Sequence, residues 1–216
     1  MTTEVGTAEL SRVLAPYVTS WSAEHDLHCT LLVRADGRGV GYANELPGDR
    51  DAHGVLWNRV AERHGVGVPE FARVHPARQR QAINNLLCQV CAEPADRTAE
   101  GVLWLMRDFR GDSPNWPEDM ASVEPPICAR CVPVAMQRCP ALRRGAVAVR
   151  VREFNVMGVR GTLYTQGVFG LKPAGMGHLL YGDPATSWMV AASSFRLLRD
   201  CSFVSFEELG IAAGLG

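Results

Sequence analysis

Two cysteine pairs carry the clearest chemistry in this sequence: Cys88 and Cys91 in CQVC, and Cys128 and Cys131 in CARC. A two-residue spacer lets both thiolates of a knuckle reach one ion, and two knuckles complete a tetrahedral all-thiolate site. Soft sulfur ligands in that geometry favour zinc. Four protein ligands leave no open coordination position, so the spacing predicts structural Zn2+ held by Cys88, Cys91, Cys128 and Cys131. Two other chemistries use the same residues: iron held by the four cysteines, and a redox-active dithiol, although one CxxC would suffice for the latter. Cys139 lies about two helical turns beyond Cys131 and reads, like Cys29 and Cys201, as a small apolar core residue.

An odd total of seven cysteines, four of them in CxxC pairs, fits a metal site in a reducing compartment better than a disulfide framework. The first residues carry early acids and no basic stretch before an apolar run, and nothing approaches the ~20 apolar residues of a membrane span. The expected location is therefore the cytoplasm, with no membrane partner. At 216 residues and 47% hydrophobic content, the chain is long enough for a substantial core.

The elements that must position the cysteines follow from local pattern. Residues 8–25 have helical apolar spacing interrupted by Pro16, and CTLLVRADGRGVGYA reads as a hairpin turning at Asp36-Gly37. VLWNRVAER fits strand or helix. Pro76 opens a helix over residues 76–87 that leads directly into Cys88. GVLWLMRD is an apolar strand between the knuckles, and RGDSPNWPEDMASVEPP is a loop. After Cys128, Pro133 places a helix start near Val132. GAVAVRVRE alternates Val147, Val149 and Val151 with Arg150 and Arg152, a half-buried strand. VMGVRGTLYTQGVFG continues in β style, GVFGLKPAGMG reads as a loop, and a helix is expected from Asp183-Pro184 to about Arg199. The expected class is α+β: a zinc-stapled middle (residues 75–142) between an α+β N-terminal segment (1–74) and a β-rich C-terminal segment with a helix (143–216).

Helix, CxxC knuckle, apolar hairpin, then a second CxxC opening a helix: this order over residues 75–140 resembles the treble-clef zinc finger, and LLCQVC is similar to the entry of the zinc-bound HNH endonucleases. The resemblance implies a zinc scaffold. HNH catalysis needs histidines between the knuckles, and residues 92–127 contain none; an HNH relative with this sequence has lost its catalytic apparatus. No GxSxG, Walker-type loop or HExxH is present. The basic residues are almost all Arg, with Lys172 the single lysine. That bias looks like the codon usage of a GC-rich bacterial genome, and the chain as a whole resembles proteins of such bacteria.

The net charge of −1 generates no global field towards nucleic acid. Locally, residues 138–160 hold six arginines against the single acid Glu153. Arg143 and Arg144 follow the zinc helix, and Arg150 and Arg152 share one strand face by period two. Phosphate backbones are bound by arginines on rigid scaffolds, so these four are the candidate nucleic-acid contacts; a solvated strand face paired with acids is the competing reading. The expected function is a non-enzymatic zinc protein that contacts nucleic acid through this face. The alternatives are a zinc-stapled protein–protein interaction module and, behind it, a metal-dependent nuclease or a redox protein.

Overall fold

The valine alternation after residue 146 does not stop where the glycines begin, and that continuity organises the molecule. A computed structural model describes residues 15–168 and 170–211. The expected helix over residues 8–25 falls partly outside them; from residue 15 on, its sequence forms a turn and strand β1 (Thr19–Trp21). The expected hairpin is present as β2 (Leu31–Val33) and β3 (Val40–Tyr42), with Gly37 at positive φ in its connection. VLWNRVAER contributes only β4 (Leu56–Trp57), followed by β5 (Pro69–Val74) antiparallel to β1.

Helix α1 (Pro76–Asn85) starts on its proline and ends on Leu86 in the left-handed region. Its orphan C-terminal carbonyls are met from across the molecule, where Arg196 Nε donates to the Ile83 carbonyl at 2.9 Å. Then come β6 (Arg97–Thr98), β7 (Gly101–Arg107) and β8 (Met120–Ser122). Helix α2 (Val132–Arg138) begins at Val132, as Pro133 requires. The rest is strand: β9 (Ala146–Gly167), β10 (Gly170–Leu180) and, after a short 3-10 turn, β11 (Met189–Val204).

These strands build a seven-stranded mixed sheet with path β4-β11-β9-β7-β6. β9 is its axis. β11 runs antiparallel along almost all of one edge of β9; on the other edge β7 pairs residues 146–151 and β10 pairs residues 158–167. β4 joins β11 in parallel, so all three sequence segments contribute strands to one sheet. The register of β11 against β9 shifts twice, at Ala191/Ser193 and at Phe195/Arg196.

β7 is covered on both sides. Leu103 and Leu105 join Cys88, Ile127, Val132, Ala135 and Ala148 on one face. Val102, Trp104 and Met106 join Val147, Val149, Val151 and Leu198 on the other. Helix α1 crosses β11, and there Gln79 completes the backbone pairing of Ser194, accepting from its amide at 3.0 Å and donating to its carbonyl at 2.8 Å.

The α+β, treble-clef-centred class expected from sequence is therefore corrected: among the described residues the chain is mostly β, with two short α-helices beside one large sheet. The helix expected from Asp183-Pro184 to about Arg199 is only a 3-10 turn, Pro184–Trp188, and β11 follows from Met189. Buried positions there occur on both faces, which erases the period-two signal that would separate strand from helix. GVFGLKPAGMG, expected as loop, forms most of β10.

Backbone proximity imposes glycine at one point of the β9–β11 ladder. A Cβ on Gly161 would collide with the carbonyl oxygen of Val190. Gly161→Ala is expected to destabilise the protein by about 1–3 kcal/mol, read as a fall in Tm of about 2–4 °C per kcal/mol in a chain of this size.

Candidate metal centre

Two loops deliver the four cysteines. The first leaves α1 through Leu86 and turns on Ala92, both at positive φ, with the Cys88 amide bonded to the Glu93 carbonyl at 2.7 Å and the Ala92 amide to the Cys88 carbonyl at 2.9 Å. The second is a 3-10 turn, Ala129–Cys131, with the Cys131 amide on the Cys128 carbonyl at 3.0 Å, continuing into α2. Backbone bonds stitch the loops together: Gln89 N–H to Pro126 at 2.9 Å and Asp96 N–H to Ile127 at 3.1 Å. Ile127 and Leu103 anchor the pair to β7, through a 2.9 Å bond from the Ile127 amide to the Leu103 carbonyl.

The result brings together all four cysteines that the CxxC spacing singled out. Their sulfurs lie within 4.8 Å of one another, and none is in a disulfide. The Cys91 and Cys128 sulfurs stand 3.8 Å apart. Zn–S bonds of about 2.3 Å in a regular tetrahedron put the sulfurs about 3.8 Å apart, so the donor set fits a tetrahedral ion without rearrangement at this edge. Cys139 is outside the cluster, as its spacing predicts.

The electrostatics point the same way. Burial pushes the Cys88 thiol up to about 11. Cys131 is also raised, first by burial and then by the neighbouring sulfurs. At Cys91 burial opposes ionisation, but the Glu93 amide, Arg130 and the adjacent thiols outweigh it and bring the group down to about 7. Four adjacent, largely buried thiols cannot all ionise unaided; a dication at their centre would supply the missing charge. Arg130, whose Nη2 lies 3.7 Å from the Cys91 sulfur, adds a positive charge at the edge of the cluster. Its position in CARC, between two of the clustered cysteines, was the available sequence signal, and the charge inventory alone does not distinguish it from other surface arginines.

The four arginines of the expected phosphate face separate. Arg143 and Arg144 are exposed in the 3-10 turn Leu142–Arg144 that follows α2. Arg150 is buried: it points to the cysteine-cluster face of the sheet, where it forms an ion pair with Asp96 and approaches the Gly101 carbonyl at 3.5 Å. Arg152 is exposed, and its Nη1 lies 3.2 Å from Asp200. Period two does place Arg150 and Arg152 on one face, but Asp96 and Gly101, on either side of β6, enclose that face at Arg150.

Among the described residues no helix is long and apolar enough to cross a membrane. Compared with known proteins, the chain matches no family model, no curated protein and no solved structure.

Proposed function

We propose that Cys88, Cys91, Cys128 and Cys131 hold one zinc ion in a closed structural site, and that the chain is a non-enzymatic binding protein built around it. The observation that carries this reading is the convergence of four free thiols, two from each knuckle, within 4.8 Å. A full set of protein ligands leaves no position for an activated water, which favours a structural over a catalytic ion. Metal analysis with ultraviolet–visible absorbance tests it. One equivalent of zinc and a colourless protein are expected; stoichiometric iron with charge-transfer bands, or a reversible dithiol titration in metal-free folded protein, would refute it.

The surface beside the metal supports nucleic acid as the partner. Arg138 at the end of α2, with Arg143 and Arg144 in the next turn, is exposed, and none of the three has an ion-pair partner among the described residues. Unpaired guanidinium groups on a rigid support can release counterions from a phosphate backbone. Arg150 drops out of this contact set because its charge is neutralised inside the fold. Gel shifts over a salt series should show binding that weakens steeply with salt, and the Arg143→Ala/Arg144→Ala variant should flatten the logarithmic salt slope by about 2. Absence of binding at low salt, or an unchanged slope, removes the nucleic-acid reading and leaves the face to a protein partner.

A further inference from the structure

A second site lies in the N-terminal part of the molecule, among residues that take no part in the cysteine cluster. A cavity of about 360 Å3 opens between β4, the chain that follows it to Glu62, and the first turn of α1. Small-molecule sites begin near ~300 Å3.

Its inner wall includes the imidazole of His75, which is 2% exposed and has no hydrogen bond on either ring nitrogen. The nearest carboxylate oxygen belongs to Glu24, 3.9 Å away, beyond hydrogen-bonding reach; its other polar neighbours are Arg78, the Ala61 backbone and Glu62. Glu24 is already committed, accepting from the Trp21 amide at 2.9 Å and from both terminal nitrogens of Arg78 at 2.7 and 2.6 Å. An unsatisfied buried polar group costs about 1–3 kcal/mol, and its occurrence in a cavity wall implies a partner supplied from outside the chain. Burial, reinforced by Arg78, lowers the His75 pKa, so the ring is neutral around pH 7 and offers one donor and one acceptor.

The charges of the lining select the partner. Arg59 is neutralised by Asp49 and held further by the Asn44 carbonyl at 2.9 Å. Arg80 differs. Its guanidinium lies over the Trp57 ring at 4.4 Å and has no hydrogen-bond or ion-pair partner among the described residues. A stacked guanidinium keeps its in-plane N–H fork free for a planar oxyanion. Pro76 and Ala77, in the first turn of α1, also line the cavity, and that turn has neither a side-chain cap nor an acidic residue. The partial positive charge of the helix terminus is thus left for a ligand. Asp49 and Glu62 in the same lining disfavour a dianion. At the mouth, Leu27 and Leu46 are 44% and 58% exposed and await an apolar cover.

We infer that this cavity binds a small organic monocarboxylate, its carboxylate on Arg80 and the α1 terminus, its hydrogen-bonding edge on His75 and its apolar body against Trp57, Leu27 and Leu46. This inference does not depend on the metal or on the arginine face.

Calorimetric and ligand-observed NMR titrations of the purified 216-residue protein with benzoate and with 3-methylbutanoate test it. At least one of the two should bind with Kd of about 1 mM or tighter. Benzamide, matched in shape to benzoate but uncharged, should bind at least about tenfold more weakly than benzoate. Arg80→Gln should weaken carboxylate binding by a similar factor while the circular dichroism spectrum and Tm stay at their parent values. His75→Phe should weaken it too; if that variant fails to fold, Arg80→Gln carries the decision alone. As a control, Arg34→Gln should change nothing. Failure of both carboxylates to bind, equal affinity for benzamide, insensitivity to Arg80→Gln, or tighter binding of phenyl phosphate than of benzoate would each overturn the assignment.

Discussion

Cys88→Ser and Cys131→Ser are each expected to lose the equivalent of metal and, with it, the cooperative thermal transition of the protein. The cysteines are not appended to the sheet; they share a core with Leu103 and Leu105 of β7, Ala148 of β9 and Val132 of α2. The first knuckle also holds the start of the described chain, with the Tyr17 amide bonded to the Val90 carbonyl at 2.9 Å and the Val18 amide to Gln89 at 3.2 Å. Structural zinc contributes on the order of 10 kcal/mol to folding in small modules, against a net stability of about 5–15 kcal/mol for a whole domain. Loss of such a contribution consumes most of the margin. A strong chelator should reproduce the effect in the parent protein, and acidification should do so as well, because the ligands bind metal only as thiolates. Cys139→Ser, outside the cluster, should retain metal and transition alike. Near-ultraviolet circular dichroism and metal analysis on the same samples read both quantities. A metal-free serine variant that melts sharply at the parent temperature would contradict the structural role.

Arg78→Met should produce the second large effect, a loss of about 3–5 kcal/mol. Arg78 reaches both oxygens of Glu24, which is 0% exposed, and its other donors cap the Tyr17 and Thr19 carbonyls at 2.7 and 2.8 Å. Removal of the guanidinium strands a buried carboxylate, whereas Glu24→Leu combined with Arg78→Met removes both charges and should recover much of the loss. The pair also gives the fold an acid limit. Burial raises the Glu24 pKa, but Arg78 and the Trp21 amide prevail and hold it below the ordinary carboxylate value. A depressed folded-state pKa stabilises fully above the unfolded-state value and progressively less as pH falls through the folded one. Urea denaturation across the acid range should therefore show a steeper decline in the parent than in the double variant.

The cysteine cluster was legible because its chemistry is local: two residues between thiols determine reach, whatever surrounds them. Helix α1 was legible from Pro76, and α2 from Pro133, because proline constrains the backbone irrespective of tertiary context. The long strands were not. Residues 146–167 look broken at Gly158 and Gly161, yet those glycines sit inside one continuous strand, where neighbouring carbonyls leave no space for a side chain. In residues 189–198, burial on both faces hides alternation. The α+β expectation failed there, since a short apolar run has no period to distinguish helix from strand. The arginine face was half legible. Alternation correctly groups Arg150 with Arg152, but only the packing of Asp96 beside β7 reveals which of them is enclosed. The cavity left almost no trace in the sequence: His75, the N-cap, and Arg80 belong to α1 and Trp57 to β4, and nothing local joins them until α1 folds against β4.

The two irregularities in the β9–β11 pairing act as notches in a key. In a uniform antiparallel ladder, sliding one strand by two residues would preserve which side chains face inward and cost little in backbone bonding. With one extra residue on each strand, Ala192 on β11 and Met157 on β9, such a slip leaves each notch opposite the wrong partner. Alignment is thereby enforced along the whole shared edge, from Val204 beside Ala148 to Met189 beside Leu163.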